Sequence, residues 1–148
     1  MIVFEERADI LESGAQTLVV PVNTVGAMGK GLALAFRRKY PTLYPAYRRA
    51  CRLHVFEHEG MFIHEISEDR KILCFPTKHH WRQPSKLEWI IDGLELLVKH
   101  YGEWGITKLA VPALGCGEGK LDWPLVEEVL WRYLDPLELE VGIYLPPE

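Results

Sequence analysis

The chain has 148 residues, 48% of them hydrophobic, and 17 Lys and Arg against 21 Asp and Glu give a formal charge of −4. That length suits one domain with a sizeable core, the composition argues against disorder, and the charge argues against non-specific nucleic-acid binding by the surface as a whole. No apolar run nears the ~20 residues of a membrane span and the first residues lack a basic-then-apolar leader pattern, so a cytoplasmic protein is expected.

In chain order, residues 2–7 read as a short strand that runs out at Asp9-Ile10-Leu11. Residues 16–23 are almost all apolar, as expected of a strand covered on both faces. A glycine-rich loop follows, Asn23-Thr24-Val25-Gly26-Ala27-Met28-Gly29-Lys30-Gly31, and opens onto the small-residue helix start Leu32-Ala33-Leu34-Ala35-Phe36. Glycines let backbone approach a ligand, and a helix N-terminus favours an anion, so the stretch suits a phosphate or ribose. It is neither a P-loop, since Leu32 follows Gly31, nor a dinucleotide fingerprint, since Leu34 stands where a third small residue is needed. That helix should end before Pro41, and residues 42–53 should form another, with Tyr44, Tyr47 and Cys51 at helical spacing.

Residues 61–67 and 71–77 read as strands joined by the charged turn Glu68-Asp69-Arg70. Ser85 and Glu88 have the spacing of a capping box. The helix they start carries Leu87, Ile90, Ile91, Leu94, Leu97, Val98 and Tyr101 on one face and ends near Gly102. Residues 109–114 form another buried strand, opening into a second glycine loop, Gly115-Cys116-Gly117-Glu118-Gly119-Lys120. Asp122-Trp123-Pro124 begins the last helix, with Leu125, Val126, Val129, Leu130 and Tyr133 expected inward; residues 139–145 form a final strand. The alternation, with one extra hairpin, predicts an α/β/α sandwich around a mixed, mostly parallel sheet. Two glycine loops at the carboxyl ends of buried strands should line one crevice, which suits a long anion with sugars at both ends.

Cys51, Cys74 and Cys116 form no CxxC pair, which suggests free thiols. His54 and His58 have no second ligand pair and are taken as surface residues; no metal or redox cofactor is expected. Asn23 is the only asparagine, and Gln16 and Gln83 are the only glutamines. Few amides and frequent prolines fit a thermophilic source, and an Asn retained in the glycine loop then acquires interest.

Taken in order, these motifs resemble the macrodomain family, the ADP-ribose-binding fold, over nearly the whole chain. The resemblance implies that Asp9 accepts the adenine amino group beside Ile10. It implies that Asn23, Thr24, Met28, Gly29, Lys30, Gly31 and Leu32 form the ribose-side loop, with Asn23 expected to bond the distal ribose. Pro112, Leu114, Gly115, Cys116, Gly117, Glu118 and Gly119 then form the phosphate-holding loop. Thr77-Lys78 after an apolar strand, with the Met-Gly-Lys-Gly and Gly-Cys-Gly loop forms, is similar to glycohydrolases that use a lysine, above all the DarG antitoxin macrodomains and also the terminal ADP-ribose glycohydrolase of animals. That implies an enzyme removing ADP-ribose from thymidine in single-stranded DNA, paired with a DarT-type toxin, with Lys78 essential. Full DarG proteins carry a C-terminal toxin-contacting region, so residues 1–148 are expected to be a single, monomeric macrodomain cut from a longer chain.

Lys78 could attack the anomeric carbon as a neutral amine, its pKa lowered by burial or by Lys30, His79, His80 and Arg82, or could act protonated on the leaving base. His79, His80, Trp81 and Arg82 are candidate DNA contacts, an aromatic ring among cations. Arg37, Arg38, Lys39, Arg48, Arg49 and Arg52 are read as a solvated helix face. Cys116 is read as a small residue between glycines, not a nucleophile. The animal enzyme has an acidic residue where this chain has Gly119; Glu118 and Asp122 are near but out of register. The rival readings are a non-catalytic ADP-ribose reader and a hydrolase of protein-linked ADP-ribose esters or O-acetyl-ADP-ribose.

Overall fold

The computed structural model describes residues 1–146; Pro147 and Glu148, which the single-domain reading includes, lie outside the described residues. Six strands, β1 (Ile2–Glu5), β2 (Thr17–Asn23), β3 (Phe62–Ser67), β4 (Arg70–Lys78), β5 (Lys108–Val111) and β6 (Glu140–Tyr144), form one sheet in the order β1-β6-β5-β2-β4-β3. All neighbours are parallel except the β3–β4 hairpin. Five helices, α1 (Gly31–Lys39), α2 (Leu43–Arg52), α3 (Val55–Glu59), α4 (Leu87–His100) and α5 (Trp123–Leu134), cover its two faces. This is the mixed three-layer sandwich that the alternation predicts.

The period-two rule for strands explains the layering. On β2, Leu18, Val20 and Val22 join Phe36, Leu43, Tyr47 and Phe56 beneath α1–α3. Val19 points the other way, with Leu73, Phe75, Leu109 and Val141, against Ile90, Leu94 and Leu97 of α4 and Val126 and Leu130 of α5. Leu18, Val19 and Val20 are all fully buried, as a central strand covered on both sides requires.

After β2 the chain moves toward β4 and β3; after β5 it moves the other way, to β6. The neighbours β2 and β5 therefore straddle the topological switch point, where open α/β sheets bind ligands beyond the carboxyl ends of their strands. Both glycine loops leave from this point.

Several expected details differ. β1 ends at Glu5, not at residue 7, and Arg7 adopts a left-handed backbone with φ of 55°. β5 stops at Val111, and Pro112 to Leu114 already belong to the loop. The capping box does not form: Lys86 holds the cap position of α4 without a side-chain bond, and the Ser85 hydroxyl, one residue early, is buried without a partner. Leu125, expected inward, is 52% exposed; the buried side of α5 is Val126, Val129, Leu130 and Leu134. The short helix α3 was not legible, because its five residues are too few to show a period and both ends are set by left-handed residues, His54 and Gly60.

Candidate functional site

The first loop, residues 24–30, is organised by Asn23. Its Oδ1 accepts from the backbone N–H groups of Val25, Gly26 and Ala27 at 3.1–3.2 Å, while its Nδ2 donates to the Ala27 carbonyl at 2.8 Å. An Asx side chain here replaces the partners that a turn would otherwise take from water. Beneath it lies Tyr47 of α2, fully buried, whose hydroxyl is 2.7 Å from Asn23 O and 2.8 Å from Asn23 Oδ1. Burial pushes the Tyr47 phenol well above its ordinary pKa, so it stays a neutral donor. Met28 is buried and props the loop from below; Gly29, Lys30 and Gly31 are exposed, and Leu32 is half-buried at the start of α1. Asn23 thus serves as the turn residue, and only its second amide hydrogen is left over for a ribose.

The second loop is held by its own backbone. Cys116 N donates to Ala113 O, Lys120 N to Gly117 O and Leu121 N to Gly115 O, and Ser85 N ties the loop to the start of α4 through Gly119 O at 2.9 Å. Pro112 and Leu114 are buried under it, while Gly117 and Glu118 are exposed above. Gly115 has φ of +75°. At Gly119 a Cβ would stand 2.3 Å from the Ser85 Oγ and 2.5 Å from Gly115 O, so no side chain fits. This is why an acidic residue cannot occupy position 119. Cys116 is pushed up to about 11 by burial and by Asp122, so little of its thiol is thiolate at neutral pH.

Lys78 lies between the loops. β2 and β4 run in step to Val22 and Pro76; a bulge then skips Thr77 and pairs Asn23 with Lys78. The Lys78 Nζ donates to Glu118 O at 2.8 Å and to Trp81 O at 3.3 Å. Burial lowers its pKa below the ordinary lysine value; the Glu118 carboxylate pulls it up, and Lys120 and Lys30 push it down. The cations that push it down are thus Lys30, among the expected neighbours, and Lys120 of the second loop. Glu118, out of register in the sequence, is brought beside Lys78, and its Cγ lies 3.8 Å from where a Gly31 Cβ would stand, which joins the two loops across the crevice.

Asp9, exposed, caps the 3-10 turn Ile10–Glu12, its Oδ1 accepting from Leu11 N at 2.9 Å. Ile10 is buried, and Tyr144, at the carboxyl end of β6, packs against the same cluster. In the sequence Tyr47 stands out only as a helix residue, Lys120 only as the end of the second loop and Tyr144 not at all; an aromatic at a strand's carboxyl end was the available signal for Tyr144. His79, His80, Trp81 and Arg82 follow Lys78 in a loop tied back by the Thr24 Oγ1, which donates to His79 O at 3.0 Å. A separate open depression of about 530 Å³ lies by the β3–β4 turn, where Arg70 is held by Tyr40 and Ser13.

A family model described as Macro domain matches residues 19–130. A DNA ADP-ribosyl glycohydrolase of Thermus aquaticus is 41% identical over 146 residues, covering 96% of this chain and 41% of that protein. A DNA ADP-ribosyl transferase–DNA ADP-ribosyl glycohydrolase fusion protein of Thermosipho africanus is 39% identical over 160 residues, covering 96% of this chain and 41% of the fusion. The chain thus spans about two fifths of these relatives. The solved macrodomain of Thermus aquaticus DarG superposes with a TM-score of 0.91 at 41% identity, over 99% of both chains. The crevice between β2 and β5, the two loops that line it and these similarities lead to one conclusion: this chain belongs to the macrodomain family.

Proposed function

We propose that this chain is the ADP-ribose-releasing domain of a DNA ADP-ribosyl glycohydrolase, acting on thymidine-linked ADP-ribose in single-stranded DNA and countering a DarT-type transferase. The names of the Thermus and Thermosipho relatives support the reaction and, through the fusion, the pairing with a transferase. ADP-ribose is the ligand and product; the reading calls for no metal or further cofactor.

In this reading Asp9 Oδ2 takes the adenine amino group, and Tyr144, which packs on the cluster that holds Ile10, offers the adenine a stacking face. The exposed backbone of Gly29, Lys30 and Gly31 and of residues 115–119 holds the diphosphate, aided by the N-terminus of α1. Asn23 and Thr24 face the distal ribose.

The observation that carries the chemistry is the setting of Lys78. Two carbonyls, of Glu118 and Trp81, take two of its hydrogens. In the neutral amine the remaining position is the lone pair, free to attack the anomeric carbon as the bond to the base breaks; the proton lost by the alkylated amine goes to the departing thymine nitrogen, and water then cleaves the lysine–ribose bond to release ADP-ribose. The pKa lowered by burial, Lys120 and Lys30 makes the amine available nearer neutral pH. One observation favours a second reading: carbonyl acceptors also suit an ammonium, which would instead stabilise or protonate the leaving base.

The test is release of ADP-ribose from a thymidine-modified single-stranded oligonucleotide and from an ester-modified protein, wild type beside Lys78→Ala. Release from the DNA that falls by several orders of magnitude in Lys78→Ala, with ADP-ribose still bound, is expected. Release from the protein alone would make the chain an ester hydrolase, and binding without release from either would make it a reader.

A further inference from the structure

Resting on that reading, we propose that residues 79–89 carry a second binding site, which grips the DNA strand flanking the modified base and extends from the loop after Lys78 onto the first turn of α4. Two aromatic–cation pairs lie there. His80 stacks on Trp81 with centroids 5.4 Å apart at 27°, and the Arg82 guanidinium sits 4.6 Å over the Trp81 ring. Further along, the His79 ring meets Trp89 edge-on at 4.2 Å, and the Lys86 Nζ lies 5.2 Å from the Trp89 centroid. Trp81 is 43% exposed, so its ring is open to a partner.

Charge and position identify the occupant. From residue 79 to Trp89 the sequence holds Arg82, Lys86 and two histidines against one acidic residue, Glu88, in a chain of net charge −4. Interleaved cations and rings match a single strand, whose bases stack without a sequence code and whose phosphates take the cations. The segment is also tied to the crevice at three points. Thr24 holds it through His79 O, the Lys78 Nζ through Trp81 O, and Gly119 O through Ser85 N. A strand lying on these rings therefore presents its modified nucleotide to Lys78. In the free protein the guanidinium and ammonium cap the rings; on binding they turn to phosphates.

The experiment compares two substrates that differ only in the strand: an ADP-ribosylated thymidine mononucleotide and a ten-nucleotide oligonucleotide carrying the same modification. For Lys86→Ala and Trp89→Ala the expected result is a KM for the oligonucleotide raised about tenfold with kcat held, because each removes one ring or cation contact. Mononucleotide kinetics are expected to stay at wild-type values, and Trp89→Phe to recover most of the loss. The oligonucleotide KM should also rise steeply with salt for wild type and less steeply for Lys86→Ala. Equal losses on both substrates would assign these residues a structural role, and an unchanged oligonucleotide KM would remove the site; either overturns the proposal while the hydrolase stands. Wild type that releases ADP-ribose from neither DNA substrate would sink the hydrolase reading itself.

Discussion

The two loops of the crevice do one job by opposite means. The first is braced by side chains: Asn23 fills the turn and Tyr47, twenty-four residues on, supports Asn23 from inside α2. The second is braced by the lack of them: backbone bonds close it and Gly119 lets the Ser85 hydroxyl and Gly115 carbonyl come within a distance that no Cβ allows. The difference teaches where each side is vulnerable. The first fails by deletion of a polar group, the second by addition of a single methyl.

Gly119→Ala should have the largest effect. Overpacking against backbone is expected to cost about 3 kcal/mol and to displace the loop, lowering the melting temperature by roughly 10 °C. ADP-ribose affinity by calorimetry should fall with it. A variant as stable as wild type would mean that the second loop yields where the packing says it cannot. Asn23→Ala comes next. Three backbone N–H groups lose their acceptor, for about 2 kcal/mol, with ADP-ribose affinity down tenfold or more. Tyr47→Phe should be mildest, about 1 kcal/mol by urea denaturation, since Asn23 Oδ1 keeps its three backbone donors. If Tyr47→Phe cost as much as Asn23→Ala, the phenol rather than the amide would be the brace, and the comparison would need redrawing.

Much of this was legible from local patterns. The nearly all-apolar 16–23 stretch, the apolar spacing of α4 and the two glycine runs each name their element, because periodicity and glycine chemistry act within a few residues. The switch point itself became visible only with the strand order of the folded sheet. What was hidden depends on contacts distant in sequence. Nothing near Asn23 announces Tyr47, and nothing near Lys78 announces that Lys120 and Glu118 would set its charge. The Ser85–Glu88 spacing misled because a cap depends on where the helix begins, and here it begins one residue later. The basic run on α1 and α2 behaves as a helix face: the Arg37 guanidinium lies 3.7 Å over the Tyr44 ring and Lys39 is paired with Glu12.

The central claim is that the two loops frame a lysine made reactive by its setting. Its most direct test is the pH dependence of ADP-ribose release from the thymidine-modified oligonucleotide at saturating substrate. The sign follows from the neighbours: a lowered pKa brings the neutral amine in at lower pH, removing a cation raises that pKa, and removing a carboxylate lowers it. The account predicts a rate that rises with pH through a midpoint below the ordinary lysine value, moving to higher pH in Lys120→Gln and to lower pH in Glu118→Gln. A rate that falls as pH rises, or a midpoint that neither variant moves, would contradict the neutral lysine.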